Sequence, residues 1–323
     1  KYHDSSFKLY WIVTVLSALA MVYCKAIPMN HNTEIIMKQH TLGWLNGLVG
    51  VAIFSGSLPA TRVAVQELSP LFVTSARACL AALLGGLLLW LLKQHRPQAA
   101  HMPALLLVSV GVVLGFPLLT AWALQYASSA HAIVFVGLLP LCTALFAVWR
   151  GGERPSWLFW LFALLGAGSV ASYALINSDG APWYSDALMF AAIVVCGMGY
   201  AEGAKLSREL GGWQVISWAL LLSVPVMLPL VLWTWPAQIG DIHAPAWWSL
   251  AYVSLFSMLI GFVFWYKGLA QGGIAAVGQL QLLQPFMGLA LAAVLLNEPV
   301  NVAMVLVTVV AVMCVAGAKK FAV

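Results

Sequence analysis

Charge is the scarcest thing in this sequence. Asp, Glu, Lys and Arg together make up 8% of its 323 residues, against about 25% in soluble domains. Hydrophobic residues make up 63%, more than one water-soluble core of this size can hide, so the chain reads as an integral membrane protein. Its basic residues stand singly between apolar runs. The formal net charge of +5 therefore marks no nucleic-acid patch and reports membrane topology instead. The five cysteines (Cys24, Cys79, Cys142, Cys196, Cys314) are odd in number, lie in apolar runs and imply no disulfide framework. No GxxxxGK[ST] loop is present, so ATP coupling has no phosphate cradle. HExxH, GxSxG and paired intramembrane carboxylates are missing too. That weakens the main competing class, an intramembrane enzyme acting on a lipid-linked substrate, and no cofactor or metal is expected. A channel would favour a continuous polar stripe or charged rings, whereas the polar spots here are isolated.

What the sequence has in quantity is apolar runs of membrane-spanning length, about 20 residues. They fall at about 42–65, 69–92, 102–127, 130–149, 156–177, 186–206, 213–235, 247–270, 274–296 and 300–318. The expected fold is all-α with ten transmembrane helices. Ser69-Pro70 looks like a helix start, with serine as cap and proline in the first turn. Tryptophans near predicted ends (Trp44, Trp90, Trp149, Trp157, Trp183, Trp213, Trp235, Trp247) suggest interfacial belts. Residues 1–41 fit less well. Leu9–Cys24 is apolar but short, and reads either as an extra span or as a signal-like or upstream extension, with Met29 and Met37 as plausible starts.

Threading ten helices from an inside start puts Lys93, Arg96, Arg150, Arg154, Lys205, Arg208, Lys267, Lys319 and Lys320 on one side. Glu67, Asp179, Asp186, Asp241 and Glu298 fall on the other, with Arg62 and Arg77 within helix ends. The positive-inside bias then predicts a cytoplasmic C-terminus, and the bacterial inner membrane is the expected location.

The two halves resemble each other. They align without gaps at an offset of 145, matching Ala130 with Ala275, Pro140 with Pro285 and Glu153 with Glu298. This divides the chain into an extension (1–41), a first five-helix repeat (42–177) and a second (178–323). Five is odd, so the second copy must be inverted, an arrangement that lets a central site face either side.

With GERP at Gly152–Pro155, NEP at Asn297–Pro299, Pro140, Pro285, Arg77 and the WYKGLAQGGIAAVGQ segment (265–279), the chain resembles the EamA-like family of the drug/metabolite transporter superfamily. The resemblance covers about residues 42–318. It implies a ten-helix inverted-repeat transporter whose central cavity is lined mainly by the third, fourth, eighth and ninth helices. It also implies export of amino acids, other small metabolites or drugs.

Candidate site residues are the polar groups inside the spans. At roughly 100° per residue, Gln281 and Gln284 share a face of the ninth helix while Gln279 points away. They are either interhelical glue or substrate contacts. Pro285 frees the carbonyl of Gln281. Trp265, Tyr266 and Lys267 could face an amphipathic substrate, although Lys267 could equally snorkel to the interface. Trp122 stands at the repeat position of Lys267, and with Trp265 it is an aromatic cavity candidate or ordinary packing. Arg77, deep in the second span, needs a partner or hydration. Glu202 and Lys205 are spaced for a local ion pair, with Tyr200 nearby, and Glu202 is also the candidate group for proton coupling. His131 is a cap-region or proton-relay residue. Glu153 and Glu298 are expected to fix helix ends. Gly111, Gly115, Pro117 and Gly137 should permit bending. The partners implied are a small-molecule substrate, the lipid bilayer and coupling protons, in a monomer or homodimer.

Overall fold

The computed structural model describes residues 31–127, 135–176, 182–284, 286–288 and 302–322. Among them every regular element is helical. Helices α1 (His31–Ser55) and α2 (Ser57–Val65) form one broken rod, followed by α3 (Pro70–Leu91). Helix α4 (Met102–Val108) widens through a π turn, Ser109–Gly115, into α5 (Phe116–Tyr126). Then come α6 (Leu139–Gly151), α7 (Trp157–Ile176), α8 (Trp183–Leu210) and α9 (Gly212–Trp233). Helix α10 (Ala244–Tyr252) passes through a second π turn, Val253–Ile260, into α11 (Gly261–Gly272). Helix α12 (Ile274–Gly278), a 3₁₀ turn (Gln279–Leu283) and α13 (Val302–Lys320) complete the described chain.

Each of the ten apolar runs thus holds helix in its described part. Six rods, Gln39–Val65, Pro70–Leu91, Ala99–Tyr126, Trp183–Leu210, Gly212–Trp233 and Ala244–Gly272, are long and apolar enough to cross a bilayer. Many large apolar side chains point outward, Leu83, Leu87, Phe190 and Leu232 among them. Such a surface would drive aggregation in water and suits hydrocarbon. Leu9–Cys24, His131, Pro285 and the Asn297–Pro299 motif with Glu298 lie outside the described residues.

Local sequence explains the helix ends. Ser69 Oγ accepts from Phe72 N at 3.2 Å with Pro70 in the first turn, as expected. Gly152, at φ +70, ends α6 in a left-handed turn that turns Glu153 back over the bundle. Gly273, at φ +90, makes the sharp corner between α11 and α12. Trp90, Trp149, Trp157, Trp183 and Trp235 are exposed near helix ends, as belts require, but Trp44 is not. It is buried in the core with the Lys319 ammonium 4.7 Å from its ring centroid, a cation–π contact that replaces the expected interfacial role.

The helix pairs follow the duplication. Helix α1 lies on α11, α3 on α9, α5 on α8, α6 on α12 and α7 on α13. Exchanging the halves turns the α1–α11 pair into the α8–α5 pair and returns each of the other three to itself. The α1–α11 seam is made of backbone. Gly43 and Gly47 face Gly268 and Gly272, two small-x-x-x-small pairs. A Cβ on Gly268 would sit 2.5 Å from Gly47 N, and one on Gly43 would sit 2.5 Å from Gly272 N.

Gly268→Val should therefore force the seam apart, at a cost of about 1–3 kcal/mol or more. Gly168→Val, where an added Cβ meets nothing within 4 Å, should leave stability unchanged. Thermal melts in detergent, read by size-exclusion chromatography, test the contrast; equal midpoints would contradict the packing.

Candidate functional site

A cavity forms where the helices lose their regularity. Between α1 and α2 the rod breaks at Gly56, with Pro59 lacking the N–H that would bridge the break. The freed carbonyls find side-chain donors. The Tyr252 hydroxyl donates to Ile53 O at 2.6 Å, and the Gln284 amide donates to Phe54 O at 3.4 Å. The two π turns face the same space and share one register: Ser109 and Ser254 differ by 145, the sequence offset of the repeat. Pro117 helps to widen the first of them, because it offers no N–H to the carbonyl of Val113.

Together these walls line a cavity of about 30 Å³. It is a narrow cavity. Three pairs of its lining residues are repeat partners: Val112 and Ser257, Pro117 and Phe262, Leu139 and Gln284. In two of the three pairs the second half supplies a polar group where the first supplies an apolar one. Phe54, Phe116, Tyr200 and Phe262 give an aromatic wall, with Phe54 and Phe262 rings 4.9 Å apart and Tyr200 and Phe262 rings 5.9 Å apart.

The polar corner consists of Ser57, Arg77, Ser257 and Gln284. Arg77 is 6% exposed. Its Nη2 donates to Ser257 Oγ across 3.4 Å, Ser257 Oγ donates to Ser57 Oγ at 2.9 Å, and Nε has no partner. None of the ion pairs among the described residues involves Arg77. A guanidinium has five donors, so this one enters the cavity with most of its hydrogen-bonding capacity unused. Arg62 differs, because its Nη1 caps α5 by donating to Leu124 O at 2.6 Å and Ala127 O at 2.7 Å.

Of the other sequence candidates, Tyr200 and Gln284 join Arg77 in the lining. Trp265 lies behind it, fully buried, its ring 5.5 Å from Tyr200 and 6.2 Å from Phe54. Tyr266 is buried and donates to Gly199 O at 3.2 Å. Gln279 and Gln281 are buried one turn away, with Gln279 Nε2 donating to Pro140 O at 3.5 Å. Both π turns and the serines were missed from sequence, although Ser257 stands at the repeat position of Val112.

Four expectations change. Gln281 sits on a 3₁₀ stretch that ends at Leu283, just before Gln284, so a constant turn of 100° does not relate the two, and Gln284 alone of the pair lines the cavity. Pro140, which the apolar run 130–149 puts mid-helix, stands instead in the first turn of α6, which starts at Leu139. Trp122 is half-buried and absent from the lining, and Lys267 is exposed, so neither faces the cavity. Glu202 pairs with Arg150, not with Lys205, which is exposed. A helix-local partner lost to one brought in by packing of α6 on α8.

That Arg150–Glu202 pair belongs to a second cluster, at the end carrying the basic loops. Glu153 accepts from Ile274 N and Ala275 N, each at 2.8 Å, so one carboxylate from the first half caps the N-terminus of α12 in the second. Arg208 Nη2 lies 3.4 Å from the same carboxylate. Glu153 thus fixes a helix end, though not its own.

The EamA-like transporter family model matches residues 41–175 and 183–318. The chain belongs to that family. It is 62% identical over 286 residues to an uncharacterized transporter, YdeK, of Bacillus subtilis (strain 168), covering 88% of this chain and 100% of that one. It is 25% identical over 251 residues to a probable terminal-alkyne amino-acid exporter of Streptantibioticus cattleyicolor, covering 77% of this chain and 83% of that one. It is likewise 25% identical over 274 residues to the aromatic amino acid exporter YddG of Salmonella typhimurium (80% and 89% covered). A solved crystal structure, 19% identical, superposes with a TM-score of 0.71 over 87% of this chain and 97% of its own, a likeness of fold alone. The chain is therefore a multi-pass membrane transporter.

Glu153→Ala would leave two helix N–H groups without acceptors and should cost about 1–2 kcal/mol. Arg154→Ala, beside it, should cost nothing measurable. Denaturation midpoints of the two purified variants compare them, and an unshifted Glu153→Ala would refute the cap.

Proposed function

We propose that this transporter exports small carboxylates with an apolar or aromatic body, amino acids foremost, by alternating access through the cavity at Arg77. The observation that carries the reading is the buried guanidinium with unused donors beside an aromatic wall. A carboxylate completes its hydrogen bonding and offsets the cost of burying a charge, while Phe54, Phe116, Phe262 and Tyr200 take the apolar body. The two relatives that are named amino-acid exporters support the same chemistry. With no nucleotide-binding loop in the sequence, the driving force is an ion or substrate gradient, and Glu202, 3% exposed, is the carboxylate placed to couple protons to the movement of Arg150. The architecture we assign is ten spans in two inverted repeats, with the C-terminus cytoplasmic in a bacterial inner membrane. The chain works as a monomer or homodimer.

Counterflow of radiolabelled amino acids in proteoliposomes tests this. Wild type should show saturable flux that free amino acids inhibit and their amides, lacking the carboxylate, do not. Arg77→Met should reduce it at least about tenfold, a loss of about 1.4 kcal/mol, with Arg77→Lys retaining part. Equal inhibition by acids and amides would overturn the role of Arg77, and no saturable flux across a broad panel would overturn export of amino acids.

Sidedness has its own check. A cysteine in place of Asp241 should react with a membrane-impermeant maleimide added outside intact cells, and labelling from the cytoplasmic side alone would invert the topology.

A further inference from the structure

Between the cavity and the basic-loop cluster lies a layer of buried polar atoms that nothing in the bundle satisfies. Gln281 is 0% exposed, and neither its amide oxygen nor its nitrogen has a hydrogen-bond partner. Trp265 Nε1, Thr143 Oγ1 and Gln279 Oε1 are buried and equally unpartnered. They are neighbours. Gln281 lies beside the Tyr200 hydroxyl, and the Tyr200 ring is 5.5 Å from that of Trp265. A Cβ on Gly278, next to Gln279, would meet Thr143 at 3.4 Å, and the Gln279 amide bonds Pro140 one turn above Thr143.

The order along the helices gives the layer its place. Helix α6 runs from Leu139 in the cavity through Thr143 to Arg150. The chain from α12 runs back from Gln284 in the cavity through Gln281 to Ile274, whose N–H Glu153 holds. On α8, Tyr200 lines the cavity and Glu202 takes Arg150. The unpartnered groups therefore sit on the path from the cavity to the basic-loop end, and the two carboxylates close that path. Buried polar atoms without partners are costly. A layer of them, at the meeting of both halves, is a set of donors and acceptors open to a ligand.

We propose that Gln281, Trp265 and Thr143 form a second substrate station, closed in this conformation and exposed when Arg150 leaves Glu202 and α12 leaves Glu153. The inference rests on the transport reading above and extends it. The station has donors (the Trp265 N–H, the Gln281 NH₂, the Thr143 hydroxyl) and acceptors (the Gln281 and Gln279 carbonyls) but no charge. That set suits the zwitterionic head group of an amino acid, each end of which finds a complement. Without a formal charge the station holds the head group less tightly than Arg77 does. An exporter needs such a contrast: weak capture on the loading side, strong hand-over to the cavity.

The test uses the full-length chain. Gln281→Leu keeps the volume and removes the unpartnered atoms. The thermal midpoint in detergent should hold or rise, L-[³H]phenylalanine binding to the cavity should stay within about twofold, and flux per folded molecule should fall at least tenfold. Thr143→Val should behave alike. A midpoint lowered by several degrees, or unchanged flux, would overturn the station, because the amide would then be a structural group or a spectator. A second arm needs no substrate. Gln281→Cys should be modified by an impermeant methanethiosulfonate reagent from the basic-loop side at least tenfold faster when Arg150→Ala is added, with the site identified by mass spectrometry. Equal rates, with both proteins folded by thermal melt, would sink the proposal even if phenylalanine is carried. Accelerated labelling without any amino-acid flux would place the failure in the substrate reading instead.

Discussion

A backbone carbonyl in hydrocarbon has no water to turn to, and that constraint arranges this molecule. Helices are the default because each satisfies its own hydrogen bonds. The departures from regular helix that lie inside the bundle find partners there or line the cavity. The break at Gly56 leaves carbonyls that Tyr252 and Gln284 occupy. The end of α5 gives carbonyls to Arg62, and the start of α12 gives its N–H groups to Glu153. The two π turns face one cavity.

Charge follows the same economy. The ionic groups are sorted into two kinds. Arg150 with Glu202, and Glu153 with Arg208, are paired across the halves at the end carrying the basic loops, and of these four only Glu202 is fully buried. Arg77 is left open toward space. A paired buried charge is structural capital, while an unpaired one asks for a ligand. The contrast separates the two roles without reference to position along the chain.

Much of this was legible in the sequence because solvent dictates it. Apolar run lengths gave the helices, the offset of 145 gave the repeat, and Ser69-Pro70 gave a cap that the structure shows atom for atom. The same offset held the pairing of Leu139 with Gln284 before either was placed in a cavity. What stayed hidden depends on tertiary register. Lys205 was the nearer partner for Glu202 in sequence, but the packing of α6 on α8 delivered Arg150. A helical wheel at a constant angle cannot foresee a 3₁₀ turn or a π turn, so the depth of Gln281 against Gln284 was unreadable. Trp122 and Lys267 look like site residues by type alone, and side-chain type does not say which way a helix is rotated. The facing glycines Gly43, Gly47, Gly268 and Gly272 went unread for the same reason, since spacing along one helix does not name its partner.

That glycine seam has a mechanical corollary. Interlocked side chains can yield gradually, one rotamer at a time, as neighbouring helices slide. Bare backbone against bare backbone has no such gradation, and the contact either holds over its length or is lost. Helices α1 and α11 therefore form a single strut. Since α1 comes from one repeat and α11 from the other, that strut ties the two duplicated halves together.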